Sequence, residues 1–283
     1  MINKNIVKVL LKRKPGANKG DYGHVFIIAG SLGMTGAAYL ASQAALLTGS
    51  GLVTLGIPKS LNIILAKKLV EVMTKPLPET KEKSFSLNAF SEIDKFVKLR
   101  KPNVLAIGPG LSQNKNTQVL ARKVVSEIEL PMVIDADGLN TLKSPVRMTY
   151  GTVITPHPGE MARLLGADVA EVQANRKNIA KNTASKYNVV VVLKGHKTIV
   201  AGPEGQFYIN NTGNPGMASA GCGDVLTGMI ASLVGQGIEP FEAAKCGVYL
   251  HGLAGDIAVK ETCQASLRAT DLLDNIHKAI LLA

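Results

Sequence analysis

The run Asn211-Thr212-Gly213-Asn214-Pro215-Gly216-Met217-Ala218-Ser219-Ala220-Gly221-Cys222-Gly223-Asp224 carries the strongest chemical signal in the chain. Small residues dominate its centre, an acid follows the last glycine, and an amphipathic helical pattern begins there. The backbone N–H groups of Ala220, Gly221, Cys222 and Gly223 can approach an anion closely, and a helix N-terminus adds partial positive charge. Phosphoryl transfer needs this kind of environment, because positioning and electrostatics supply most of its catalysis. Asp224 then stands where it can take the proton of an attacking hydroxyl. A helix-capping role accounts for the acid alone. The long run of small residues favours chemistry, since a cap does not require it.

Five other segments carry Gly, Pro or polar residues where an apolar run stops. Gly30-Ser31-Leu32-Gly33-Met34-Thr35-Gly36-Ala37-Ala38 follows a strand pattern and opens a helix. Its spacing is not the G-x-G-x-x-G dinucleotide fingerprint, and no acid closes a second strand about 20 residues on. Ligand contact and tight helix–strand packing both remain open for this turn. Gly108-Pro109-Gly110 and Asp135-Ala136-Asp137 are two further strand ends. The two acids suit either a water-bridged Mg²⁺ or turn stabilisation. His157 lies between Pro156 and Pro158, which restrict its backbone; it reads either as a ligand contact or as a structural histidine. Lys194-Gly195-His196-Lys197-Thr198 leaves a buried strand, placing a lysine and a permissive backbone where a phosphate could be met.

These loops need a scaffold that gathers strand ends. Short β-branched runs at Val25–Ala29, Leu52–Ile57, Val104–Ile107, Met132–Ile134, Thr152–Ile154 and Val189–Leu193 alternate with helical patterns at Gly36–Leu47, Leu87–Leu99, Thr117–Glu127, Gly159–Leu165 and Val169–Tyr187. The strands are nearly all apolar, which predicts a mostly parallel sheet covered by helices on both faces, an α/β fold. A hairpin follows, with Thr198–Ala201 and Phe207–Ile209 joined by Gly202-Pro203-Glu204-Gly205. Three helices close the chain, at about Asp224–Val234, Pro240–Val259 and Leu267–Leu281. Met1–Lys14 reads as an N-terminal helix, with no cleavage pattern of a secretory signal.

At 283 residues and 46% hydrophobic content, the chain can bury one large core, and residues 1–283 are expected to form a single catalytic domain. No apolar run approaches a membrane span. Cys222, Cys246 and Cys263 are few, odd in number and without metal-ligand spacing, so neither a zinc site nor a disulfide framework is expected, and a reducing cytoplasm fits. The net charge of +11 is scattered, Trp is absent and aromatics make up 4%. Basic and aromatic residues are not interleaved as in a surface that stacks bases, which argues against a nucleic-acid partner. The charge reads as a solvated surface that steers small anions.

Taken in order, these segments resemble the ADP- or ATP-dependent NAD(P)H-hydrate dehydratases of the ribokinase-like superfamily. The marks are Lys19-Gly20-Asp21-Tyr22-Gly23, Gly30-Ser31 with Met34 and Gly36-Ala37-Ala38, Ile107-Gly108-Pro109-Gly110-Leu111, Asp135-Ala136-Asp137, Thr155-Pro156-His157-Pro158-Gly159-Glu160, Lys194-Gly195, and Gly213-Asn214 through Asp224. The resemblance implies a three-layer sandwich and a repair reaction: dehydration of the S epimer of hydrated NADH or NADPH, driven by ADP or ATP with Mg²⁺, and releasing AMP and phosphate from ADP. It implies that Asp224 activates the hydrate's hydroxyl and that Ala37, Gly110 and His157 contact the hydrate. Lys194, Gly195, His196, Lys197, Thr198 and Gly223 match the nucleotide site, and no residue matches a dedicated metal ligand. A homotetramer, a cytoplasmic location and a functionally linked epimerase are further implications. The epimerase is fused N-terminally in many organisms, and since this chain has no length for one, a separate protein is expected to supply it. Cys222 departs from the usual Ser or Thr, which removes a strong side-chain donor and leaves the backbone contact.

Two other functions share some of these features. A ribokinase-like vitamin-precursor kinase, of hydroxymethylpyrimidine or pyridoxal type, would use the same Asp224 and anion hole; Thr155–Glu160 together with the Gly30–Ala38 turn favours the dehydratase. A non-catalytic nucleotide sensor would have no use for a base beside an anion cradle.

Overall fold

The computed structural model describes residues 4–142 and 148–283. Among the described residues nine strands form one sheet: β1 His24–Ile28, β2 Leu52–Pro58, β3 Met73–Leu77, β4 Val104–Ile107, β5 Met132–Ile134, β6 Val153–Ile154, β7 Val190–Leu193, β8 Ile199–Ala201 and β9 Phe207–Ile209. Their spatial order is β3-β2-β1-β4-β5-β6-β7-β8-β9. All pairs from β3 to β7 are parallel, while β8 and β9 add an antiparallel hairpin at one edge. The chain winds one way from β1 to β3 and the other way from β4 onward. The carboxyl ends of β1 and β4 therefore flank a topological switch point, where open α/β sheets hold ligands.

The helices are α1 Lys4–Leu11, α2 Thr35–Leu47, α3 Asn62–Ala66, α4 Ala89–Arg100, α5 Lys115–Glu127, α6 Asp137–Asn140, α7 Pro158–Leu165, α8 Val169–Ala174, α9 Arg176–Tyr187, α10 Cys222–Gly235, α11 Pro240–Glu261 and α12 Ala269–Leu282. Strand alternation divides the core between two layers of them. Val25, Ile27, Val104, Ala106 and Val192 point to the side of α2, α10, α11 and α12. Phe26, Ile28, Leu105, Ile107 and Val191 point to the side of α4, α5, α7 and α9. Both faces of the central strands are thus buried, as their near-continuous apolar sequence requires. Helix α10 is buried from Val225 through Gly235, so it is apolar all round where the sequence suggested an amphipathic helix, because it is packed on every side rather than lying at the surface.

Most strand bounds match the sequence reading to within a residue, and the hairpin and the three closing helices appear where predicted. Four differences have physical causes. Strand β3 was not anticipated, because it is half-exposed and contains Lys75 and Pro76; proline in a strand is confined to edges, where β3 lies. Helices α3 and α6 are too short to show periodicity. The single helix expected over Val169–Tyr187 is two, α8 and α9, broken at Asn175, a poor helix former with φ −123° and ψ 27°. The break precedes Arg176, whose guanidinium donates to the carbonyls of Leu193, Lys194 and His196. The N-terminal helix is present as α1, and Met1–Asn3 lie outside the described residues.

Candidate active site

At the switch point the loops after β1 and β4 interlock. Gly30 N–H donates to the Pro109 carbonyl at 2.8 Å, and Ser31 Oγ donates to the Gly110 carbonyl at 2.9 Å. Gly110 has φ +63°, and a Cβ there would lie 3.0 Å from the Ala37 Cβ. Ala37 and Gly110, which the family resemblance implies as substrate contacts, are therefore neighbours across the crevice. Gly108 is tighter still: with φ +133°, its Cβ would fall 1.7 Å from the Asp135 carbonyl oxygen. Only glycine lets the ends of β4 and β5 come this close. Just beyond, Ala136 holds φ +47° and ψ −123°, a backbone region costly for a residue with a Cβ.

That turn separates two acids with different partners. Asp137 accepts from Ser112 N–H at 2.9 Å and from the Gln113 side chain, fastening the loop after β4. Asp135 is buried, accepting from Lys194 Nζ at 2.6 Å and from Thr227 Oγ1 at 2.8 Å. Glu160, also buried, lies 3.8 Å from the same ammonium. Lys194 thus joins the ends of β5, β7 and α7. Burial alone would lower the pKa of Lys194, but the carboxylates of Asp135, Glu160 and Asp224 outweigh it and hold the group above the ordinary lysine range. Burial pushes Glu160 up, with Lys194 opposing and Asp135 adding to the rise.

His157 caps α7. Its Nδ1 accepts from Gly159 N–H at 3.0 Å and Glu160 N–H at 3.3 Å, and Glu160 returns a bond to His157 N–H at 2.7 Å. The structural reading of this histidine is therefore realised. The half-exposed ring also leaves Nε2 at the surface, 3.4 Å from Glu160.

Helix α10 begins after Gly221, whose φ is +93° and whose Cβ would lie 2.5 Å from Leu40 Cδ1. Among the described residues, no acceptor takes the N–H groups of Ala220, Gly221, Cys222 and Gly223. These donors are available at the N-terminus of a 14-residue helix, where the macrodipole adds positive potential. The Cys222 thiol is buried and pairs with Ser219 Oγ at 3.3 Å, and burial raises its pKa. Asp224 stands in the first turn of α10, partly accessible, with no hydrogen-bond donor among the described residues. Its pKa is pushed up to about 7, mainly by burial, then by the charge of Asp135, with Lys194 opposing. A carboxylate poised near neutrality with both oxygens unoccupied suits a general base.

Beside these donors lies a cavity of about 550 Å³. Its wall includes Lys194, Gly195, His196, Lys197 and Thr198 on one side and Cys222 and Gly223 on another. The structure thus brings together the residues that the sequence assigned to a nucleotide. Gly223 lies close to Lys194, since a Cβ there would be 3.4 Å from its Nζ. Sequence reasoning gave no separate role to Thr227, Glu160 or His251, although all three belong to this region. Thr227 carried a faint signal, one turn beyond Asp224 on the same helical face. His251 carried none, sitting mid-helix in α11.

Residues 25–278 match the family model described as NAD(P)H-hydrate dehydratase. The bifunctional NAD(P)H-hydrate repair enzyme Nnr of Moorella thermoacetica is 48% identical over 94% of this chain and 50% of its own length. The ADP-dependent (S)-NAD(P)H-hydrate dehydratase of Neisseria meningitidis is 37% identical over 90% of this chain and 83% of its own. The chain spans about half the length of the bifunctional relatives it matches. Among solved structures, the ADP/ATP-dependent NAD(P)H-hydrate dehydratase of Bacillus subtilis, co-crystallised with ATP/Mg²⁺, superposes with a TM-score of 0.84 at 31% identity, covering 98% of this chain and 95% of that one. A ribokinase-like superfamily protein of Enterococcus faecalis shares the fold, with a TM-score of 0.83 at 24% identity over 99% of this chain and 95% of that one. With the family model matching residues 25–278 and a relative 37% identical over most of both chains, the chain belongs to the NAD(P)H-hydrate dehydratases.

Proposed function

We propose that this protein is an ADP-dependent (S)-NAD(P)H-hydrate dehydratase, with Asp224 as its base. The reading is carried by one observation: unpaired amides at Ala220–Gly223 lie immediately before a carboxylate whose pKa is near 7. Asp224 takes the proton of the hydrate's hydroxyl, whose oxygen attacks the terminal phosphorus of ADP, and AMP departs. The amides of Ala220–Gly223 and the ammonium of Lys194 stabilise the charge that builds on the phosphoryl oxygens. The phosphate ester then leaves with its C–O electron pair, loss of one proton from the ring restores the double bond, and reduced nicotinamide results. Lys194–Thr198 and Gly223 hold the nucleotide, while Ala37, Gly110 and His157 border the hydrate.

Among the described residues, no group of three His, Cys, Asp or Glu side chains could hold a metal ion. Magnesium prefers phosphate oxygens and water with one or two carboxylates, so the site fits an ion that arrives with the nucleotide. Asp135 and Glu160, the carboxylates beside Lys194, would hold it through water. When bound, it neutralises phosphate charge. Among the described residues, no helix is long and apolar enough to cross a membrane. The proposal includes a cytoplasmic homo-oligomer of single-domain subunits, working with an epimerase that supplies the S epimer.

The test incubates the protein with hydrated NADH and ADP and follows the near-ultraviolet absorbance of reduced nicotinamide. Its return, with stoichiometric AMP and phosphate, is the expected result. Phosphorylation of a vitamin alcohol without that return would replace this reading with a kinase.

A further inference from the structure

The Cys222 carbonyl and the Gly223 N–H are the two ends of one planar peptide unit. The N–H end has no acceptor among the described residues. The carbonyl end accepts from His251 Nε2 at 2.8 Å. A carbonyl oxygen can only accept, so Nε2 carries the ring proton and this nitrogen is a donor. The imidazole is neutral at physiological pH, held down at about 4 by burial, against the bond to Cys222 and with help from the nearby Lys194 ammonium.

The helix that carries His251 is fixed on both sides. On the α10 side, a Cβ at Gly247 would lie 2.7 Å from Ile230 Cγ1, so the two helices are in close contact. On the loop side, Asp256 accepts from Gly213 N–H at 2.8 Å, and Thr212 Oγ1 donates to the Tyr249 carbonyl at 2.9 Å. The imidazole therefore meets the first turn of α10 from a rigid support.

We propose that His251 is a positioning residue for the reaction, orienting and polarising the Cys222–Gly223 peptide so that the Gly223 N–H is a pre-aimed, strengthened donor to the transferring phosphoryl group. A hydrogen bond to an amide oxygen shifts electron density away from the same unit's N–H, and such chains strengthen each bond by perhaps 10–30%. Donors held in place before reaction cost no reorganisation when charge develops. The inference rests on the reading that this N–H faces the phosphate. It adds a residue 29 positions from Cys222 in sequence, with a role distinct from filling the core.

The test compares H251L, H251N and H251Q with the parent. Glutamine can place an N–H near the Nε2 position. Asparagine is polar but too short to reach, and leucine fills space without a donor. H251L and H251N are expected to lose about tenfold to a hundredfold in kcat, with the KM for ADP changed only a few-fold. H251Q is expected to recover most of that loss. The Gly223 amide proton resonance should move upfield in H251L and H251N and return toward its parental position in H251Q, a readout that needs no turnover. Thermal melts identify folded variants, and H251N serves if H251L does not fold.

The proposal is overturned if folded H251N or H251L keeps parental kcat, if H251Q is as impaired as H251N, or if the Gly223 resonance is the same in all four proteins. If the parent itself shows no ADP-dependent dehydration, the phosphoryl-transfer reading fails, and this inference fails with it. An active parent with equally active His251 variants removes only the inference.

Discussion

Replacing Asp224 by Asn should raise stability while abolishing turnover. Asp224 is the less common case of a carboxylate whose folded pKa, about 7, lies above its ordinary value of 3.8. Between those values the native state binds more protons than the unfolded chain, so stability falls as pH rises through the window and stays lowered above it. The rise corresponds to on the order of 4 kcal/mol at about pH 8, shrinking below about 2 kcal/mol near pH 5 and vanishing under about pH 4. Asparagine mimics the neutral form and escapes this cost. Allowing for solvent access to the group, we expect D224N to gain about 2–4 kcal/mol at about pH 8, a melting-temperature increase of roughly 5–10 °C. Melting of both proteins by circular dichroism across pH 5–8.5 measures the gain. Calorimetry with ADP should show affinity within a few-fold of the parent, and the nicotinamide absorbance assay should show a loss of at least about a thousandfold. A D224N protein no more stable than its parent at pH 8, or one whose advantage does not shrink toward pH 5, would refute the electrostatic argument. Turnover within tenfold of the parent would refute the assignment of the base.

Four further outcomes follow. If Asp224 is the base, kcat/KM should climb with pH and level off above about 7, where its carboxyl is ionised; a flat profile from pH 5.5 to 8.5 contradicts the assignment. K194M leaves Asp135 and Glu160 buried without their cation, so it should cost about 3–5 kcal/mol in denaturant titrations and move the acid limb of that profile to higher pH. G108A forces a Cβ to within 1.7 Å of the Asp135 carbonyl oxygen and should destabilise by about 3 kcal/mol or more, scored by melting temperature and soluble yield. C222S keeps the backbone N–H and should alter kcat and the KM for ADP only a few-fold in steady-state kinetics, since the side chain faces Ser219.

The parallel sheet was legible because its strands are buried on both faces and so read as uninterrupted apolar runs, as in Phe26-Ile27-Ile28 and Val104 to Ile107. The edge strand β3 escaped because it is exposed and interrupted by Pro76. The cradle was legible for a local reason: consecutive small residues, an acid and a helix start lie within one short stretch from Gly213 to Asp224. The charge cluster was not legible. Asp135 meets Thr227 across 92 positions and Lys194 across 59, and no local pattern records a partnership made only by folding. His157 shows the opposite limit, since its two flanking prolines signalled a special backbone without telling a cap from a ligand contact.

The contact between α2 and α10 sets a mechanical limit on the crevice. A Cβ at Gly228 would come within 2.1 Å of the Ala41 carbonyl oxygen, so these helices touch backbone to backbone. Ala37 stands four residues before Ala41 and Asp224 four before Gly228, each on the same helical face as its successor and one turn nearer the crevice. The two positions therefore ride on a single stiff wedge whose separation is set one turn below them. A chain of this family that came to accept a bulkier ring would have to yield at Gly110, on the loop opposite, because widening the wedge would carry Asp224 away with its wall.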